Sequence, residues 1–206
     1  MTVNGIVLAG GQGLRLGRNK VLETVGNRRL LQRVVAGLSF LESDIIVVTA
    51  TAQSYSQLID YPRLKSVTDI YPGRGPLGGI YTGLVASDSR YNLVVAGDMP
   101  FLNQALLRHM IRAAEGFDLV TIRLGKLVEP LHAVYARDCL PAIEGMLEAG
   151  ELSVNKLFDR VRVRYVETEE IDRFDPEHLS FFNINTAADL TRASGIARKE
   201  TENDQR

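Results

Sequence analysis

The sequence predicts an α/β protein: a mainly parallel sheet, Rossmann-like in its three-layer build, with helices on both faces. Short β-branched runs such as Ile45-Ile46-Val47-Val48 and Leu93-Val94-Val95-Ala96 alternate with segments of helical periodicity, the pattern of βαβ units. Those runs are apolar throughout rather than alternating, as strands buried on both faces are. The first run also breaks directly into a glycine-rich loop, Gly10-Gly11-Gln12-Gly13-Leu14-Arg15-Leu16-Gly17.

Asn4–Ala9 reads as the first strand. From Leu30, apolar residues recur at Leu31, Val34, Val35, Leu38 and Leu41, a helical stripe. Asp44–Ala50 is the second strand, Leu58-Ile59 sits on a short helix, and Lys65–Thr68 is the third strand. Pro76–Ala86 suits a helix with proline in its first turn. The Leu93 strand and a helix over Gln104–Ala114 follow. Leu119–Ile122 and Val128–Tyr135 are strand-like, and Pro141–Leu147 and Val154–Phe158 helical. Val161–Val166 alternates apolar and charged residues, which predicts a half-exposed edge strand, antiparallel to its neighbour. Ala187–Ala193 is a closing helix capped by Thr186. Residues 1–197 are expected to form one domain, and 198–206, with no apolar anchor, a disordered tail.

The chain has 206 residues, 45% of them hydrophobic and 24% charged, as in ordinary globular proteins. A net charge of −1 argues against a nucleic-acid partner, which favours a basic face. One cysteine, Cys139, excludes an internal disulfide and fits a reducing compartment. No run approaches a membrane span and no secretory pattern opens the chain, so a cytoplasmic location is expected.

Glycines let the backbone approach a ligand closely, so that main-chain N–H groups face phosphate oxygens. Arg15 and Lys20 add positive charge to the same loop. A P-loop is excluded: the one Gly-Lys pair, Gly125-Lys126, is followed by Leu127 and lacks the spacing. A dinucleotide fingerprint is disfavoured, because Gly11, Gly13 and Gly17 are spaced one residue too long and the second strand ends in Thr49-Ala50-Thr51 without an acid.

Asp69 and Asp98 each follow a strand-like run, as the glycine loop does. In an open parallel sheet, ligands bind beyond the carboxyl ends of the strands, so three sequence-distant segments converge on one edge. Asp98 could hold a magnesium ion or serve as a turn or cap residue. Asp69 could equally start the turn Ile70–Gly75. Gly75, Gly78 and Gly79 bracket a helix start whose N–H groups can face an anion or base, or they serve turn chemistry and close packing. Asn183 and Asn185 would share one face if their segment is a strand. His132 reads as a satisfied core residue, His109 and His178 as surface positions, and Cys139 as structural. No zinc spacing or Ser-His-Asp set is evident.

The pattern L-A-G-G-x-x-x-R-x-G-x-x-K resembles that of nucleotidyltransferases that join an NTP to a phosphorylated acceptor. Gly75-Pro76-Leu77-Gly78-Gly79 after Asp69, Ala96-Gly97-Asp98-Met99-Pro100-Phe101, Glu129-Pro130-Leu131-His132-Ala133-Val134-Tyr135 and Phe181-Phe182-Asn183-Ile184-Asn185-Thr186 are similar to segments of the MobA-like molybdenum cofactor guanylyltransferases. The resemblance spans about residues 3–192. It implies the three-layer nucleotidyltransferase fold, GTP and molybdopterin as substrates, and Mg²⁺ as the cofactor, held by Asp98. It implies a nucleotide site at Leu8, Ala9, Gly10, Lys20, Asp69 and Asp98, catalytic roles for Lys20, Asp98 and Arg15, and acceptor contacts at Asn183 and Asn185. A monomer is expected, with transient contacts to cofactor-handling proteins. Leu16 and Asn19 stand where the family often has Met and Asp, and Gly150-Glu151-Leu152-Ser153 lacks the arginines common there, with Lys156 the candidate for that charge. The rival readings are transfer from CTP to molybdopterin, transfer from an NTP to a sugar or alditol phosphate, and a non-catalytic cofactor carrier.

Overall fold

The computed structural model describes residues 2–10, 20–52, 54–55 and 57–204, with the side chains of residues 20 and 201–204 outside the description. In chain order the elements are β1 (Val3–Leu8), the hairpin β2 (Thr24–Val25) and β3 (Arg28–Arg29), α1 (Leu30–Leu38), β4 (Ile45–Thr49), β5 (Leu64–Thr68), α2 (Gly75–Ala86) and β6 (Tyr91–Ala96). Then come α3 (Gln104–Arg112), β7 (Leu119–Leu124), β8 (Leu127–Ala136), α4 (Leu140–Glu148), β9 (Val163–Glu167), α5 (Thr168–Ile171) and α6 (Ala187–Asp204).

Seven strands form one sheet in the order β5-β4-β1-β6-β8-β7-β9. β1 lies parallel between β4 and β6, with Leu8 level with both Val48 and Ala96. The all-apolar strands still sort their side chains by alternation. Val7, Val47 and Val95 enter one core with Val34, Leu38, Leu106 and Met110 from α1 and α3. Ile6, Ile46 and Val94 enter the other with Leu77, Ile80, Leu84 and Ile143 from α2 and α4. The result is the expected three layers.

The antiparallel strand is not where the sequence placed it. Val163–Glu167 is the edge strand, but it pairs parallel with β7. The strand that runs against the sheet is β8, antiparallel to both β6 and β7. The reason is local. Gly125, at φ +60°, and Lys126 form a two-residue turn between β7 and β8, which forces a hairpin. β8 inserts between β6 and β7, and the crossover through α4 brings β9 back parallel.

Two further expectations change. Leu58 lies in a turn, its N–H bonded to the Tyr55 carbonyl at 2.9 Å, not in a helix; one turn cannot offset the cost of helix nucleation. The segment from Arg198, expected to be disordered, continues α6 to Asp204. Ala193 and Ala197, one turn apart, are buried and supply the anchor. No described helix is long and apolar enough to cross a membrane.

α2 lies close on β1 because glycine stands at the contact. A Cβ at Gly83 would come within 2.5 Å of Ile6 Cγ2, a fully buried side chain. Gly83→Ala is therefore expected to cost about 1–3 kcal/mol by overpacking. Urea unfolding should show a lower midpoint with an unchanged slope; an unchanged midpoint would mean that α2 can shift freely.

Candidate nucleotide-binding site

Main-chain hydrogen bonds continue the sheet past its strands and bring the site together. Ala9 N–H donates to the Val48 carbonyl at 2.8 Å, Gly97 N–H to Leu8 at 3.0 Å, and Asp69 N–H to Thr49 at 2.8 Å. Leu8, Ala9 and Gly10 therefore lie between the turns that carry Asp69 and Asp98. The backbones are so close that side chains do not fit between them. A Cβ at Gly10 would sit 3.1 Å from Ala50 N, and one at Gly97 3.0 Å from the Leu8 carbonyl oxygen. Arg15 lies outside the described residues. Lys20 opens a short 3-10 turn, Lys20–Leu22, and its side chain is likewise outside the description.

Asp69 and Asp98 mark the two ends of this edge. They follow β5 and β6, which are three strand intervals apart, about 14 Å at the usual spacing. They cannot share one cation, but a nucleotide can span them. Asp69 does start its turn, its Oδ1 accepting from Tyr71 N–H at 3.0 Å. The same oxygen accepts from the Thr82 hydroxyl of α2 at 2.8 Å. Thr82 escaped the sequence reading because only the docked helix brings it to Asp69. Packing explains two of the α2 glycines: a Cβ would come 2.8 Å from the Tyr71 carbonyl oxygen at Gly78 and 3.2 Å from Leu8 Cδ2 at Gly79. Gly75 instead takes φ +64° at the turn into the helix.

Asp98 is half-buried, in a turn anchored by the buried Met99 and Phe101. Its carbonyl accepts the N–H of Ile184 at 3.1 Å. The structure thus brings the Asn183–Asn185 segment to Asp98. It is not a strand, however, because no sheet edge is there for it to join. Ile184 is buried and the two asparagines flank it. Asn183 Nδ2 donates to the Phe181 carbonyl at 3.2 Å. Asn185 is exposed, and its N–H donates to Asp189 Oδ2 at 3.0 Å. Thr186 caps α6 as expected, accepting from Asp189 N–H at 3.1 Å.

A second carboxylate joins Asp98. Val95 pairs with His132 across the β6–β8 ladder, so the start of β8, with Glu129, lies at the edge where β6 runs into the Asp98 turn. The β7–β8 register jumps from Thr121/Ala133 to Ile122/Glu129, a bulge that accommodates Pro130. Burial pushes the Glu129 carboxyl above the usual carboxylate range; a hydrogen bond from Leu131 N–H opposes this, and the charge of Asp98 adds to the rise. The sequence placed Glu129 in a motif but gave no sign that it comes under the charge of Asp98, which depends on β8 running against β6. Among the described residues, no group of three or more His, Cys, Asp or Glu could hold a metal ion.

His132 is a core residue but not a satisfied one. It is fully buried, both ring nitrogens lack hydrogen-bond partners, and Phe181 meets it edge-on at 5.0 Å. Burial drives its pKa down to about 4, against the pull of Asp175, so the ring is neutral at pH 7. His109 and His178 are partly exposed and pair with Glu170 and Asp172. Cys139 is buried, its thiol pKa pushed up to about 12 by burial first, which leaves it inert. Lys156 is paired with Glu151, as is Arg160, so it is not a spare charge.

The profile of the MobA-like NTP transferase domain matches residues 5–165. A probable molybdenum cofactor guanylyltransferase of Pelotomaculum thermopropionicum is 35% identical over 197 residues, covering 96% of this chain and 94% of the relative. A molybdenum cofactor guanylyltransferase of Desulfosudis oleivorans is 34% identical, covering 95% and 96%. The crystal structure of molybdopterin-guanine dinucleotide biosynthesis protein A from Archaeoglobus fulgidus superposes with a TM-score of 0.82 at 29% identity, covering 96% of this chain and all of that one. The 2-C-methyl-D-erythritol 4-phosphate cytidylyltransferase of Thermus thermophilus shares the fold at TM-score 0.70 and 18% identity.

The unpartnered imidazole predicts an acid limb in stability. Unfolded, the His132 side chain protonates near its ordinary 6.5; folded, it stays neutral to about 4. Between those values the unfolded chain binds the extra proton, so stability is lost as pH falls and is constant above 6.5. The loss approaches about 3 kcal/mol. Relative to His132→Phe, the wild type should lose about 2 kcal/mol between pH 7 and pH 5 in urea unfolding. Parallel curves would mean the ring is not held neutral.

Proposed function

Because the chain belongs to the MobA-like NTP transferase domain family, we propose that it transfers GMP from GTP to the molybdopterin form of the molybdenum cofactor, releasing pyrophosphate. The observation that carries the reading is the convergence of the Leu8–Gly10 loop entry, Asp69, Asp98 and the Asn183–Asn185 segment at one edge of the sheet. Near-full-length likeness to guanylyltransferases supports it. An oxygen of the acceptor's terminal phosphate forms the new bond to the α-phosphorus of GTP. The bond from that phosphorus to the bridging oxygen breaks, and its electron pair leaves with pyrophosphate. No side chain is needed as a nucleophile; the protein aligns two anions and neutralises their charge.

In this reading the roles are those the motifs imply. Main-chain N–H groups of the glycine loop, with Lys20 and Arg15, receive the triphosphate. Asp69, held by Thr82, serves the nucleoside end. Asn183 and Asn185 orient the acceptor. Asp98 and Glu129 offer hard carboxylate oxygens, a donor set that fits Mg²⁺. When bound, the ion would offset phosphate charge between nucleotide and acceptor. The one cysteine, free and buried, suits a reducing compartment, and the reading places a monomer in the cytoplasm.

Two substitutions separate the roles. Asp98→Asn keeps the shape and removes the charge. Turnover should fall roughly 10²-fold or more with little change in thermal midpoint. Lys20→Ala should weaken GTP binding in calorimetric titration and leave molybdopterin affinity nearly unchanged. Wild-type turnover in the first variant would remove Asp98 from the chemistry. Intact GTP affinity with lost molybdopterin binding in the second would invert the site.

A further inference from the structure

A third, small core lies behind the site, separate from the two that pack the sheet. Val25, Leu30, Phe101, Ile184, Ala193 and Ala197 form it. These residues come from the hairpin that follows Lys20, the start of α1, the turn after Asp98, the asparagine segment and α6. One largely buried charge, Arg33 of α1, joins three of these pieces; its side chain is only 13% exposed. Its Nε donates to the Val25 carbonyl at 2.9 Å, and its Nη1 to Glu200 Oε2 at 3.1 Å. Its guanidinium carbon sits 5.6 Å from the centroid of the Phe101 ring. The hairpin turn is fitted tightly around it: Gly26 takes φ +66°, and a Cβ there would lie 3.3 Å from Arg33 Nη2 and 3.0 Å from Ala197 Cβ. Phe101 in turn packs on Phe182, at 6.1 Å between centroids.

We propose that Arg33 is a positioning residue for the transfer reaction. Its guanidinium fixes the hairpin of residues 24–29 to the turn that carries Asp98, and so holds the segment that follows Lys20 in place against the Asp98 side of the site. The inference rests on the nucleotidyl-transfer reading. The chemistry demands such a tie, because in-line transfer between two anions tolerates little misplacement: about 1 Å can cost 10²-fold. Only a planar fork can donate to a backbone carbonyl and a carboxylate while lying over an aromatic ring. A lysine ammonium is a point charge and cannot do all three. The guanidinium of Arg33 is engaged by the Val25 carbonyl, Glu200 and the Phe101 ring, so its removal should act on turnover rather than on binding.

The test compares Arg33→Lys, Arg33→Met and Glu200→Gln with the wild type, using GTP, molybdopterin and pyrophosphate detection. Both Arg33 variants should lose about tenfold or more in kcat with KM for each substrate within about threefold. Glu200→Gln, which removes only the exposed partner, should keep kcat within about twofold. Phe101→Leu, which keeps an apolar side chain but removes the ring face, should reproduce the kcat loss and decides the matter if the Arg33 variants do not fold. Hydrogen exchange reads the tie without substrates: in Arg33→Met the amides of residues 24–29 should exchange about tenfold faster while those of β6 do not change. Wild-type kcat in the Arg33 variants, full rescue by lysine, or unchanged exchange in the hairpin would each overturn the proposal. Failure of the transfer reading itself would appear in the wild type, as no GTP-dependent pyrophosphate release, and the exchange measurement would still decide whether Arg33 holds the hairpin.

Discussion

The structure depends on the parallel pairing of β1 with β4 and β6. Parallel strands put their carboxyl ends on one edge, and the pairing continues into the loops through the amides of Ala9, Gly97 and Asp69. A slip of one residue would exchange the two faces of each strand. Val7 and Val95 would leave the α1/α3 side, and Ile6 would lose its fit against Gly83. The same slip would carry Gly97 away from the Leu8 carbonyl and Asp98 away from the loop entry. Register and site geometry are therefore one constraint, held by apolar side chains that never meet a substrate.

The reversed strand β8 adds what a purely parallel sheet could not. Running against β6, it brings its beginning, with Glu129, to the functional edge, within the field of Asp98. Burial of the Glu129 carboxylate is unfavourable and raises its pKa, and the charge of Asp98 adds to the rise. His132 is the second unfavourable group on this strand, buried against Phe181 just before the chain turns to the asparagines. Local cost concentrated near a site is the usual pattern in proteins that bind charged ligands.

Much of this was legible in the residues. Continuous β-branched runs located the strands and their shared edge, because only the period and the flanking glycines were needed. The cap at Thr186 was readable for the same reason. Long-range features were not. Thr82 reaches Asp69 only after α2 docks, and Glu129 comes under the charge of Asp98 only because β8 runs against β6. The reversed strand depends on where the Gly125 hairpin inserts, which no local pattern specifies. The helical tail was hidden because its anchor is two alanines, Ala193 and Ala197, whose burial requires a partner surface formed by a hairpin near the other end of the chain, with Gly26 against Ala197. The asparagine segment failed as a strand because it found one main-chain bond at Asp98 instead of a sheet edge.

Pyrophosphate release, measured with each of the four NTPs and with or without molybdopterin, tests the central claim most directly. The account predicts release that requires GTP and molybdopterin together. Preferential release from CTP, or molybdopterin binding with no dependence on any nucleotide, would contradict it.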